Sequence, residues 1–100
     1  MTKAEKEEND RIAAVGCIAC ILDGYENSPA EIHHCRNLGG KRDLAPKLPL
    51  CFYHHRGQAV GIPSLHKSKT RFRERYGSEE SLLEIVEGRM AINRSRRIGA

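Results

Sequence analysis

The chain has 100 residues, of which 30% are charged and 5% are aromatic, and its 17 Lys and Arg against 13 Asp and Glu give a net charge of +4. A chain of this length forms one domain with a small core, so a bound metal would help it fold. The absence of a long apolar run or a secretory signal pattern excludes a membrane-spanning protein and favours a cytoplasmic one, while the positive charge is compatible with a nucleic-acid partner.

The first half of the sequence predicts a helix, a metal knuckle and a strand. The charge-rich start, ended by Gly16, predicts a helical arm over residues 1–14. Cys17-x-x-Cys20 and the turn residues after it predict a knuckle followed by a loop. Residues 30–35 then read as a short strand, and the glycine-bearing residues 36–47 as an ordered loop.

The second half predicts three helices. Residues 48–51 return the chain to a short helix over residues 52–59, and a basic helix over residues 67–76 ends at Gly77. Ser78 is a natural N-cap for a last helix, whose expected apolar stripe contains Leu82, Leu83, Ile85, Val86 and Met90. We therefore expect a main domain over residues 15–92, followed by a frayed basic tail over residues 93–100.

Four residues have the spacing of a structural zinc site. Cys17-x-x-Cys20 and Cys51-x-x-His54 are two knuckles that together can close one tetrahedron. In a reducing compartment such pairs are more typical of metal ligands than of disulfides. Cys35 is then a surplus, buried thiol, or it exchanges with one of the four ligands.

The remaining histidines, His33, His34, His55 and His66, indicate chemistry beyond that zinc site. Phosphodiester cleavage needs a deprotonated water and a cation beside the phosphate, and histidine can serve either need. His66, eleven residues beyond His55, is a candidate metal ligand, and its alternative role is that of a surface or helix-capping residue. The opposite assignment is also open, in which His55 binds the structural zinc and His54 belongs to the second metal site.

The order of these parts resembles the ββα-metal finger of HNH endonucleases. Glu31-Ile32-His33-His34-Cys35 precedes a glycine-bearing loop and a short helix that carries His55 directly after a knuckle. The resemblance implies an α+β fold, a small zinc-stapled HNH domain with flanking helices. It also implies that His34 is the general base and that His33 and His55, joined by His66, hold a catalytic Mg²⁺, Mn²⁺ or Zn²⁺.

A narrower resemblance is carried by residues 49–56, by His66 and by residues 72–77. These segments are similar to the recombination-enhancement nucleases of phages and prophages, which implies a DNA endonuclease directed by RecA filaments. Two features depart from the pattern. The start is short and acidic where a long basic arm is expected, and no Asn matches the middle residue of the HNH motif, so Asp43, Asn37 or a backbone carbonyl would orient His34.

The expected partners are DNA and, as a further candidate, a RecA filament, with no membrane contact and a monomeric chain. Four basic residues flank the histidines and are candidate phosphate contacts: Arg36, Lys41, Arg42 and Arg56. A noncatalytic zinc-finger module that binds DNA is the main alternative, and it predicts no dependence on His34. A phage adaptor for a host recombination protein is a third possibility.

Overall fold

The computed structural model describes residues 2–38 and 45–99. Its elements are α1 (Lys3–Ala13), α2 (Ile18–Leu22), β1 (Glu31–His34), a 3₁₀ turn (Arg36–Leu38), β2 (Lys47–Leu50), α3 (Phe52–His55), α4 (Lys69–Tyr76) and α5 (Glu79–Gly99). The predicted α+β class is confirmed.

Helix α1 begins and ends as its sequence predicts. The hydroxyl of Thr2 accepts a hydrogen bond from the Glu5 backbone N–H at 3.1 Å, and the chain turns at Gly16 with φ +87°. Glu8 on this helix lies 3.6 Å from the ammonium group of the buried Lys47 in β2. The helix therefore packs over the sheet.

The sheet consists of two antiparallel strands. His33 in β1 lies opposite Leu48 in β2, and His34 lies opposite Lys47. Every residue of β2 is buried, because α1, α2 and α5 pack against it, whereas β1 is half-buried along its length. The paired histidines thus stand on the accessible strand, and the buried strand anchors them.

The core joins the sheet to helices that precede it and helices that follow it along the chain. Its fully buried large side chains include Ile18 from α2, Leu48 and Leu50 from β2, Phe72 from α4 and Leu82 from α5. This small cluster fixes the positions of α2, α3 and α4, which carry or support the candidate site.

Four local predictions differ from the structure. The knuckle at Cys17 begins a helical turn, α2, where a loop was expected. Helix α3 ends at His55 and not at residue 59, because Arg56 leaves the helical region with φ −143°. Ile85 is 38% exposed, since Leu82 and Val86, one turn apart, form the buried stripe of α5. The α5 backbone stays helical to Gly99 where a frayed tail was expected.

None of the helices in residues 2–38 and 45–99 combines the length and apolar character that crossing a bilayer requires.

Candidate metal centres

Three cysteines and one histidine form a closed cluster. The Sγ atoms of Cys17, Cys20 and Cys51 lie 3.6, 3.6 and 3.2 Å from Nδ1 of His54, and the Sγ atoms of Cys20 and Cys51 lie 3.9 Å apart. Tetrahedral zinc with its usual bond lengths places sulfurs about 3.8 Å apart and sulfur about 3.6 Å from nitrogen. The cluster can therefore hold a structural metal such as zinc.

Each knuckle is the first turn of a short helix. Cys17 is the N-cap of α2, and its sulfur accepts the backbone N–H of Cys20 at 3.4 Å. Cys51 is the N-cap of α3, and His54 lies one turn further on. A helical turn places residues i and i+3 on one face, so each x-x spacing delivers two ligands to the same side.

Burial disfavours an uncompensated thiolate in this cluster. Desolvation raises the pKa of the Cys17 thiol to about 12. A thiolate at this position is thus unfavourable in isolation, and a positive ion beside it would restore the charged form.

A hydrogen-bond relay fixes the tautomer of His54. The hydroxyl of Tyr76 lies 2.9 Å from Nε2 of His54 and 2.7 Å from the Asp23 carboxylate. Because the single phenolic proton donates to Asp23, the Nε2–H of His54 must donate to the Tyr76 oxygen. Nδ1 therefore carries the lone pair that faces the three sulfurs, as a metal ligand requires.

The second centre is a cleft lined by histidines. His33, His55 and His66 offer ring nitrogens that lie within 4.8 Å of one another, and their ring centroids are 4.6 to 5.6 Å apart. The cleft around them has a volume of about 500 Å³ and is open to solvent. His34, the last residue of β1, lines the same cleft.

Backbone pairing brings His66 to this cleft. The N–H of His66 donates to the carbonyl of His55 at 3.1 Å, and the N–H of Leu65 donates to the carbonyl of His54 at 2.8 Å. Leu65 is buried in the core while His66 is exposed. The ten intervening residues thus return the chain to α3.

A carboxylate holds His55. Oε1 of Glu31 lies 2.9 Å from Nδ1 of His55, and the Arg56 guanidinium donates to both oxygens of Glu31 at 3.0 and 2.8 Å. The hydrogen bonds from Arg56 and then from His55 lower the pKa of Glu31 to about 2, so this carboxylate is ionised and accepts the Nδ1 proton. Nε2 of His55 is left as the nitrogen that can bind a cation.

The other two cleft histidines favour their neutral form. Burial lowers the pKa of His33, and burial together with His55 lowers the pKa of His66. Neutral imidazole is the form that binds metals. The cleft therefore has the nitrogen donors of a metal centre with positions open to solvent.

The predicted basic residues have different surroundings. Arg36 lines the cleft, whereas Arg56 is occupied by Glu31 and stacks over Phe52. Lys41 and Arg42 lie outside the described residues. So do Asp43 and the side chain of Asn37, the two side chains considered for orienting His34.

Cys35 is a surplus buried thiol. It is fully buried and lies with His33 and Glu79 rather than in the four-residue cluster. Burial, followed by a hydrogen bond to Glu79, raises its pKa, so the thiol stays protonated.

Sequence reasoning missed five residues that contribute to the two centres: Asp23, Glu31, Lys69, Tyr76 and Glu79. Glu31 stands two residues before His33, which was an available signal. By its sequence position Glu79 is an acid in the first turn of a helix, but it is 5% exposed and faces His33. Lys69 lines the cleft from the start of α4.

Comparison with known proteins gives one family. No curated protein matches the chain. The model of the family described as recombination enhancement, RecA-dependent nuclease matches residues 1–91, nearly the whole chain. This match shows that the chain belongs to the family of recombination-enhancement, RecA-dependent nucleases.

Proposed function

We propose that this protein is a metal-dependent DNA endonuclease of the HNH type. The observation that carries the proposal is the convergence of His33, His55 and His66, from three separate segments, in an open cleft that also contains His34. The succession of β1, β2 and α3 follows the order of a ββα-metal finger. The family description supplies the nuclease activity and its role in recombination.

The two centres divide structural and catalytic roles in this proposal. The Cys17, Cys20, Cys51 and His54 cluster has four protein ligands, as structural zinc sites do. The cleft offers three histidines and open positions, as catalytic sites do. Imidazole donors suit Zn²⁺, and open positions that water or phosphate oxygens can fill suit Mg²⁺ and Mn²⁺.

His34 is the proposed general base. It takes a proton from a water in the cleft as the water oxygen bonds to the phosphorus, the bond to the 3′ oxygen breaks, and that oxygen takes a proton from solvent. A divalent cation on His33, His55 and His66 would supply positive charge beside the scissile phosphate and the leaving oxygen. The adjacent positions of His33 and His34 bring base and cation to one substrate.

Basic side chains at the cleft are proposed to position the DNA backbone. Arg36 follows β1 and Lys69 begins α4, so the cleft has cations on two separate elements. Such contacts bind phosphates without reading sequence. Arg56 is assigned a different role, since its ion pair with Glu31 keeps that carboxylate ionised for His55.

Dependence on RecA is proposed from the family description alone. A filament would select the DNA site, and the chain would contribute the hydrolysis. DNA and a RecA filament are therefore both included in the test.

The test is nicking of supercoiled plasmid with Mg²⁺ or Mn²⁺, with and without RecA filaments. The native chain is compared with His34→Ala at equal zinc content. Loss of a general base is expected to lower the rate by about 10²- to 10⁴-fold. DNA binding, measured by anisotropy, is expected to persist because the basic residues are unchanged.

Tyr53→Phe is the matched control, since Tyr53 lies on α3 but is 53% exposed. It should cleave like the native chain. Equal cleavage by native and His34→Ala protein would overturn the assignment of the base. DNA binding without cleavage in every condition would favour the noncatalytic zinc-finger module.

A further inference from the structure

We infer that Glu79 is a positioning residue of the cleft, which holds the ring of His33 and selects its Nε2–H tautomer for metal binding. The inference rests on the proposed metal centre and adds a residue to it. Oε2 of Glu79 lies 3.3 Å from Nε2 of His33, in a contact that links the start of α5 to β1.

The burial of Glu79 indicates that its carboxylate has a specific partner. Glu79 is 5% exposed, and a carboxylate is almost never buried to that degree unless it is paired. It lies in the first turn of α5, after the Ser78 side chain that accepts the Ser81 backbone N–H at 3.1 Å.

Carboxylate oxygens are hydrogen-bond acceptors, so the contact at 3.3 Å assigns the shared proton to Nε2 of His33. Nδ1 of His33 is then the nitrogen with a lone pair. The sulfur of the buried Cys35 also lies within 4.8 Å of the Glu79 carboxylate. The ring of His33 is thereby oriented before a cation arrives.

The same arrangement occurs on the opposite side of the cleft. Glu31 accepts the Nδ1 proton of His55, so each of these two metal-ligand candidates has its own carboxylate. Such partners orient a metal-binding histidine and raise its basicity. Glu31 is half-buried and is supported by Arg56, whereas Glu79 is buried.

Metal binding and a tautomer measurement test this inference independently of catalysis. Native protein, Glu79→Leu, Glu79→Gln and the matched control Glu80→Gln are prepared with equal zinc content. Mn²⁺ binding to the cleft is followed by electron paramagnetic resonance, and the protonated nitrogen of His33 is identified by long-range ¹H–¹⁵N NMR.

The native chain is expected to show the Nε2–H tautomer at His33. Glu79→Leu should lose that preference and bind Mn²⁺ about 10- to 100-fold more weakly, the range typical of such partners. Glu79→Gln keeps an acceptor oxygen and should retain the tautomer with about a tenfold loss of affinity. Glu80→Gln, an exposed neighbour on the same helix turn, should match the native chain.

Native Mn²⁺ affinity and an unchanged tautomer in Glu79→Leu would overturn the inference. If that variant fails to fold, native affinity in Glu79→Gln overturns it equally. A native chain that binds no Mn²⁺ in the cleft would instead overturn the proposed metal centre itself, and the role of Glu79 with it.

Discussion

The two candidate metal centres differ in their ligands and in how completely the protein surrounds them. The Cys₃His cluster takes four ligands from two local turns, of which Cys17 and His54 are buried and Cys20 and Cys51 are half-buried. The histidine cleft takes one ligand each from β1, α3 and the segment before α4, and it remains open. Closure suits a structural role, and open coordination positions suit a catalytic one.

The centres also differ in how their histidines are held. His54 is restrained by a neutral hydroxyl, Tyr76, that is itself bonded to Asp23. His33 and His55 contact carboxylates directly. A carboxylate partner increases the electron density on a histidine nitrogen more than a hydroxyl does. The two carboxylates would therefore make His33 and His55 stronger metal ligands in a cleft that offers three histidines.

Removal of a ligand from the closed centre should have the largest effect on the fold. Cys51→Ala leaves three ligands, and structural zinc contributes roughly 10–16 kcal/mol of apparent binding free energy in small zinc domains. We expect zinc loss and unfolding, measured by metal content and circular dichroism. Cys35→Ala is the control, because Cys35 lies outside the cluster. Equal zinc loss in both variants would show that the ligands are wrongly assigned.

Removal of a ligand from the open centre should separate metal binding from stability. His66 is exposed and lies outside the core, so His66→Ala should change the free energy of unfolding by no more than about 0.5 kcal/mol. The Mn²⁺ affinity of the cleft should fall at least tenfold, measured by calorimetric titration of zinc-loaded protein. Native Mn²⁺ affinity in this variant would show that His66 is a surface residue and not a metal ligand.

The closed centre was predictable from sequence because its ligands are local. Each knuckle spans four residues, and a single turn brings its two ligands together without help from the rest of the fold. Local patterns likewise predict the strand that carries the paired histidines and the basic helix that ends at Gly77, and both are present. The end of α3 at His55 and the exposure of Ile85 are two features that local periodicity does not show.

The open centre was only partly predictable because it depends on long-range contacts. Its three histidines were nominated by elimination and by resemblance, and the structure places them together. Glu79 is 46 residues from His33, and Tyr76 is 22 residues from His54. No sequence pattern distinguishes a helix-start glutamate that faces solvent from one that faces a histidine.

Loss of the relay at the closed centre should weaken zinc binding without abolishing it. Tyr76→Phe keeps the ring that packs on Phe72 but removes the oxygen that accepts the His54 Nε2 proton. Zinc affinity should fall about 10- to 100-fold in competition with a chelator. The control is Tyr25→Phe, because Tyr25 is 69% exposed. An unchanged affinity in Tyr76→Phe would show that the relay has no role in metal binding.

The smallest expected effect concerns Gly77, the residue at the junction of α4 and α5. Tyr76 immediately before it contacts His54 of the closed centre, and Glu79 two residues after it contacts His33 of the cleft. Gly77 has φ +97°, and a Cβ there would lie 2.8 Å from Oγ of Ser81. This backbone conformation favours glycine, so Gly77→Ala should lower the free energy of unfolding by about 1 kcal/mol.

Gly88→Ala is the matched control, since Gly88 lies within α5 and a Cβ there would meet nothing within 4 Å. It should raise stability by about 0.5–1 kcal/mol in urea unfolding, opposite in sign to Gly77→Ala, because alanine is the better helix former. If the junction couples the centres, Gly77→Ala should weaken both zinc and Mn²⁺ binding, whereas Gly88→Ala should affect neither. A loss confined to one metal would mean that the two centres are supported independently.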